Sequence, residues 1–144
     1  MNRCVVDACV GIKWFFDEEL KKEADSLVDQ AEGGEIKIIV PGIFYSEFTN
    51  VLWRKTVEET VDIGTAQKIL GRLLALPFEK FPDEELCDAA FDNALLFDIS
   101  VYDALYLSLA EVYGAPLVTA DKALFKACKE SFDFIEYLGD LKEK

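Results

Sequence analysis

The sequence predicts an α/β domain whose mostly parallel sheet is covered on both faces by helices. Short apolar and β-branched runs alternate with longer segments of helical periodicity along 144 residues, and the connections between them are short. Composition supports the same reading: 51% hydrophobic residues with 12% aromatics suffice for one packed core, and the length fits a single domain over residues 1–144.

The elements follow in order. Residues 3–6 read as a short buried strand that ends on Asp7. Residues 9–16 and 20–32 read as helical, the second with Ala24, Leu27, Val28 and Ala31 on one face and Gly33 and Gly34 as its stop. EIKIIV, residues 35–40, is a β-branched strand closed by Pro41, and residues 43–55 return to helix. Residues 62–75 carry an amphipathic stripe of Ala66, Ile69, Leu70, Leu73 and Leu74, and residues 78–81 form a short strand before Pro82. A helix over 83–97 places Leu86, Ala89, Ala90, Asn93 and Ala94 on one side. Ser100 stands three residues before Asp103, the spacing of a capping box, and opens a helix over 101–113 that Gly114 ends. A buried strand at 116–119, a helix at 122–128 and a last strand within 132–137 complete the pattern, and residues 139–144 read as a solvated tail. There is no repeat, low-complexity tract or linker to a second domain.

Composition also narrows the function. Apolar runs are broken by charge or proline well short of the ~18 residues of a membrane span, and the N-terminus lacks the order of a signal peptide, so a cytoplasmic protein is expected. Cysteines 4, 9, 87 and 128 form no C-x-x-C pair and sit in apolar contexts that suit small buried hydrophobes, which argues against zinc and disulfides. Histidine is absent, which removes the commonest general base and transition-metal ligand. With 28 Asp and Glu against 15 Lys and Arg, the net charge of −13 taken alone opposes nucleic-acid binding. Solubility explains the excess, and so does a group of acids that a divalent cation makes tolerable.

In an open parallel sheet, ligands bind at the carboxyl ends of the strands, where strand order reverses. Asp7 and Asp121 each follow a strand, while Glu47 and Asp103 lie in the first turns of helices that can face the same edge. Each has an ordinary explanation. Asp7 reads as a turn residue, Asp103 as the third-position acid of a capping box, and Asp121 as the cap of the following helix. Glu47 is harder to explain, with Phe44, Phe48, Val51 and Leu52 around it. Four carboxylates converging in a cleft repel one another unless they take up protons or a cation compensates them. Oxygen ligands alone select Mg²⁺ or Mn²⁺, ions that bind substrate phosphate, which makes phosphodiester hydrolysis the natural chemistry.

VVDACVGIKWFFDEE from Val5, PGIFYSEFTNVLWR from Pro41, SVYDALYLSLAEVYG from Ser100 and PLVTADKALF from Pro116 together resemble the PIN-domain ribonucleases, most closely the VapC-like toxins of toxin-antitoxin pairs. The resemblance spans nearly the whole chain, with each match carrying its acid. It implies a PIN-like three-layer α/β/α sandwich with a central sheet of four to five strands, and Asp7, Glu47, Asp103 and Asp121 as an acidic quartet holding Mg²⁺ or Mn²⁺. Asp7, Asp103 and Asp121 would bind one ion and Glu47 would share it or position a second. Thr119 matches the family's hydroxyl residue that orients a water or a neighbouring carboxylate; it also reads as a plain strand residue. The implied activity is endonucleolytic cleavage of single-stranded or structured RNA. Lys13, Lys122 and Lys126 are the basic residues near the site over which RNA would approach, and they also read as a solvated face. The implied partners are a cognate antitoxin and a second copy of the chain, with no membrane. Trp14, Phe15, Phe16 and Trp53 are candidates for those contacts as well as for the core. Cys9 departs from the family's serine, threonine or asparagine, and a thiol is a poorer hydrogen-bond partner than a hydroxyl. A receiver-like Mg²⁺-binding signalling module and a silent PIN scaffold that binds a partner are the alternatives.

Overall fold

A computed structural model of the chain describes residues 2–141. Strands β1 (Asn2–Val6), β2 (Ile36–Pro41), β3 (Glu79–Phe81), β4 (Leu117–Thr119) and β5 (Ile135–Tyr137) form one sheet in the order β3-β2-β1-β4-β5. All four neighbouring pairs are parallel. Helices α1 (Ala8–Ile12), α2 (Lys21–Glu32), α3 (Ile43–Val57), α4 (Ile63–Leu74), α5 (Cys87–Phe97), α6 (Val101–Tyr113) and α7 (Lys122–Cys128) supply the crossovers. Right-handed crossovers put the helices of the β1-to-β3 half on one face and α5, α6 and α7 on the other, because the chain then travels the opposite way across the sheet. The expected α/β/α sandwich results, with five strands.

Central strands covered on both faces need continuous apolar runs rather than alternation. Val5, Val6, Ile38, Ile39, Val40 and Leu117 meet that need and are fully buried. An aromatic cluster fills the α1–α3 side: Trp14 meets Phe78 edge-on at 5.4 Å, and Phe44 lies 6.2 Å from Phe78 and 6.4 Å from Phe48. Gly11 sits close against this cluster: a Cβ at its position would stand 3.0 Å from Phe44 Cζ, so the ring would have to give by a few tenths of an ångström.

Three boundaries differ from the sequence expectation by more than two residues. The helix expected over 9–16 stops at Ile12, and Trp14 and Phe15 continue in tighter turns with their amides on Gly11 and Ile12 carbonyls. The cause is tertiary: Trp14 is buried and its indole N–H donates to Ala24 O at 2.8 Å, which a continuous helix would not permit. Residues Asp83–Glu85 form a 3₁₀ turn before α5, because the Asp83 carboxylate is committed across the chain to the Ile43 amide at the start of α3. The last strand shortens to Ile135–Tyr137, with Phe132 and Phe134 packed together at 4.8 Å.

Cys4 and Cys128 are buried as expected, whereas Cys9 and Cys87 are exposed residues; all four are free thiols. Of the expected tail, Gly139 and Asp140 are exposed, Leu141 packs partly against the core, and residues 142–144 lie outside the described residues. Among the described residues, no helix is long and apolar enough to cross a membrane.

Candidate active site

β1 and β4 lie side by side with Val6 opposite Val118, so Asp7 and Thr119 meet at the carboxyl edge of the sheet. Strand order reverses between these two strands, which opens a crevice there. Asp7 is only 6% exposed and serves as the N-cap of α1. Its Oδ1 accepts the Val10 amide at 3.3 Å and the Cys9 thiol at 2.7 Å, and its Oδ2 accepts the Thr119 hydroxyl. Thr119 Oγ1 in turn accepts the Asp121 amide at 3.0 Å, which ties the two acid-bearing segments together.

The other acids arrive from helix starts. Asp121 is the N-cap of α7, its Oδ1 accepting the Ala123 and Leu124 amides at 2.9 and 3.2 Å. Ser100 caps α6 by accepting the Asp103 amide at 3.0 Å. Glu47, in the first turns of α3, accepts the Tyr106 hydroxyl on Oε1 at 2.5 Å. The four carboxylates Asp7, Glu47, Asp103 and Asp121 line a single cavity of about 380 Å³, together with Cys9, Lys13, Glu18 and Tyr106. Thr119 is fully buried behind Asp7, where it orients that carboxylate.

The electrostatics register this convergence. Burial pushes the Asp7 carboxyl up to about 6, with the Asp103 charge adding to the rise and the Cys9, Thr119 and Val10 hydrogen bonds opposing it. Glu47 is raised by burial, against the pull of the Tyr106 hydroxyl, with Asp103 and Asp83 pushing the same way as burial. Asp103 is raised by burial and then by Asp121, with Ser100 opposing. Three of the acids therefore feel another member of the group. Among the described residues, Lys13 is the one cation lining the cavity, and it is paired with Glu18 at 3.5 Å.

The donor set fits a hard divalent cation. It offers carboxylate oxygens and no imidazole, and the Cys9 thiol, held far above its ordinary pKa by burial and then by Asp7, stays protonated as a donor rather than a ligand. Among the described residues, no three acidic or thiol side chains are grouped closely enough to hold an ion by themselves. Asp7 and Glu47 point instead at protein donors, and water would complete the shell, as Mg²⁺ commonly requires.

The cavity thus contains every acid expected there, and Lys13 of the three lysines; Lys122 and Lys126 are exposed on α7 outside its lining. Trp14 belongs to the core, and Phe15 and Phe16 pack partly against it, leaving Trp53 exposed at 61%. Two residues escaped the sequence reading. Tyr106 lies three positions after Asp103 on the same helix face, and a buried tyrosine needs a partner for its hydroxyl, so the signal was present. Glu18 carries no such signal, because its partners Lys13 and Lys55 lie on separate segments.

A PIN domain profile matches residues 4–130. The curated protein "Ribonuclease VapC3" of Pyrobaculum aerophilum is 30% identical over 126 residues, which is 85% of this chain and 92% of that one. A crystal structure of a Pyrobaculum aerophilum protein superposes with a TM-score of 0.71 at 25% identity, covering 96% of this chain and 85% of the other. Mycobacterium tuberculosis VapC20, described as a sarcin-ricin loop cleaving toxin, shares the fold at a TM-score of 0.66 and 14% identity, covering 87% of this chain and 95% of its own.

Proposed function

Because the chain belongs to the PIN-domain family, we propose that it is a divalent-metal-dependent endoribonuclease and the toxin of a cytoplasmic toxin-antitoxin pair. The observation that carries the reading is the convergence of Asp7, Glu47, Asp103 and Asp121 on one cavity at the strand-order reversal. The ribonuclease name of its 30% identical relative points the same way. The phospho-accepting signalling alternative falls with the family assignment.

Asp7, Asp103 and Asp121 would hold an Mg²⁺ or Mn²⁺ ion partly through water, with Glu47 beside it. Such an ion supplies Lewis-acid stabilisation of phosphate charge and an acidified water. Thr119 and Cys9 fix the rotamer of Asp7, and Tyr106 fixes that of Glu47. Tyr106 stays protonated, its pKa driven far upward by burial and the Glu47 charge, so it acts only as a donor. Replacing it by phenylalanine is expected to weaken Mn²⁺ binding about tenfold, as loss of an outer hydrogen bond to a metal ligand does, in calorimetric titrations of the folded variant.

The partners are an antitoxin protein and a second copy of the chain. Support comes from apolar side chains left exposed on helices: Trp53 on α3, and Phe91 and Leu95 on α5 at 60% and 70% exposure. The reading is tested by incubating purified protein with single-stranded and structured RNA. Internal cleavage with Mn²⁺ or Mg²⁺ and none in chelator is expected. Folded protein that binds Mn²⁺ and cuts no RNA would make the chain a silent scaffold instead.

A further inference from the structure

We propose that Lys13 and Lys55 form a phosphate subsite at the edge of the acidic cavity, and that Glu18 fills it in the free protein as an internal substitute for an RNA backbone phosphate. This rests on the ribonuclease reading of the cavity. The Glu18 carboxylate is shared between two ammonium groups from different segments: Oε1 lies 3.5 Å from Lys13 Nζ and Oε2 lies 3.1 Å from Lys55 Nζ. Two cations on the two oxygens of one planar anion are the arrangement that a phosphate with two free oxygens would also satisfy. The side chains of Lys13, Lys55 and Glu18 are 13%, 21% and 29% exposed, so the pocket is sheltered and the carboxylate is its most accessible member.

Position gives the subsite its role. Lys13 and Glu18 both line the cavity that holds the four acids. A strand whose scissile phosphate enters there must lay a neighbouring phosphate along the rim, where every other charged residue of the lining is acidic and repels it. The Lys13–Lys55 pair is the place where that phosphate gains rather than loses. Lys55 is steadied over the Phe16 ring at 4.6 Å and so stays in position when its anion changes.

Glu18 is not what secures the loop. Lys21 Nζ donates to the Lys13 and Trp14 carbonyls at 3.1 Å each, and the Trp14 indole is anchored on Ala24 O. The loop therefore keeps its course when the Glu18 charge is removed. The carboxylate instead occupies two lysines that RNA needs, and its displacement is a step in productive binding.

The test is RNA affinity with Ca²⁺ in place of Mn²⁺, so that the acids are compensated, read by fluorescence anisotropy of a labelled single-stranded oligoribonucleotide across a salt series. Glu18→Gln is expected to tighten Kd by about fivefold, the scale of one exposed charge pair. Glu19→Gln makes the same change of charge at the next, exposed residue, and is expected to shift Kd less than about twofold. Lys13→Gln and Lys55→Gln should each weaken binding and each flatten the log–log salt slope by about 0.7, the single-strand value per phosphate contact. If Glu18→Gln fails to fold by circular dichroism, the two lysine variants decide by their slopes. Glu18→Gln binding no tighter than Glu19→Gln, or lysine variants with unchanged slopes, overturns the subsite. Mn²⁺-dependent cleavage by the unaltered protein is measured in parallel. Cleavage with a flat Glu18 response sinks the subsite alone, whereas no cleavage by the folded, unaltered protein sinks the nuclease reading and with it the role of the subsite in productive binding.

Discussion

Asp7→Asn is expected to raise the thermal midpoint of the metal-free protein at pH 7 while lowering RNA cleavage at least about a hundredfold. The two effects come from one cause. The Asp7 carboxyl is raised from 3.8 to about 6 chiefly by burial, so ionising it at neutral pH costs the folded state up to about 3 kcal/mol. Asparagine removes that cost. It keeps an acceptor for the Cys9 thiol and the Val10 amide, and its amide N–H₂ can donate to Thr119 Oγ1, where the hydroxyl proton of Thr119 must turn away. That reorganisation leaves a net gain of about 1–2 kcal/mol, or a few degrees.

The pH dependence fixes the sign. Between pH 3.8 and about 6 the folded carboxyl retains a proton that the unfolded chain has released. The favourable contribution of this group is therefore complete below its unfolded pKa and is lost as pH rises through about 6. Calorimetry in chelator should find the advantage of Asp7→Asn at pH 7 and little of it at pH 4. A variant that melts lower than its parent at pH 7, or that still cuts RNA at the parental rate, contradicts the assignment of Asp7 as a buried charge kept for function.

The fold was legible because parallel strands buried on both faces leave a plain trace: CVV, IIV and LV are apolar runs with no alternation, and each is followed by its helix. The acids were legible for the same topological reason. A residue after β1 and a residue after β4 share a sheet edge once those strands pair, and Asp7 and Asp121 are those residues. What local pattern cannot carry is tertiary commitment. Residues 13–16 have helical periodicity, yet the Trp14 indole is drawn to Ala24 O and ends the helix early. Asp83 looks like one more acid of a helix start, yet it satisfies the Ile43 amide 40 positions away in the chain. Cys9 read as a small buried hydrophobe or a weak substitute for a hydroxyl; its residue is exposed, and its sulfur turns inward to donate to Asp7. For Trp14 and Asp83 the partner lies on another segment, and single-sequence periodicity holds no record of the pairing; Cys9 and Asp7 are two residues apart, and their contact rests on the cap geometry of α1.

Asp121 allows its two readings, helix cap and metal-holding acid, to be separated by experiment. Asparagine is as good an N-cap as aspartate, so Asp121→Asn preserves the bonds from the Ala123 and Leu124 amides and should change stability by less than about 0.5 kcal/mol. Asp121→Ala loses the cap and should cost about 1 kcal/mol more. If the carboxylate only capped α7, activity would survive in Asn and decline in Ala along with stability. A role in the acidic quartet demands the reverse pattern, with cleavage reduced at least about a hundredfold in both variants whatever their melting temperatures. Removing the Asp121 charge also withdraws one of the influences that hold Asp103 above its ordinary carboxylate value, so the Asp103 carboxyl should fall in both variants when followed by NMR titration. A fall in Asp103 with activity intact would show that the two acids are neighbours without sharing a task; a fall accompanied by loss of cleavage places them in one site.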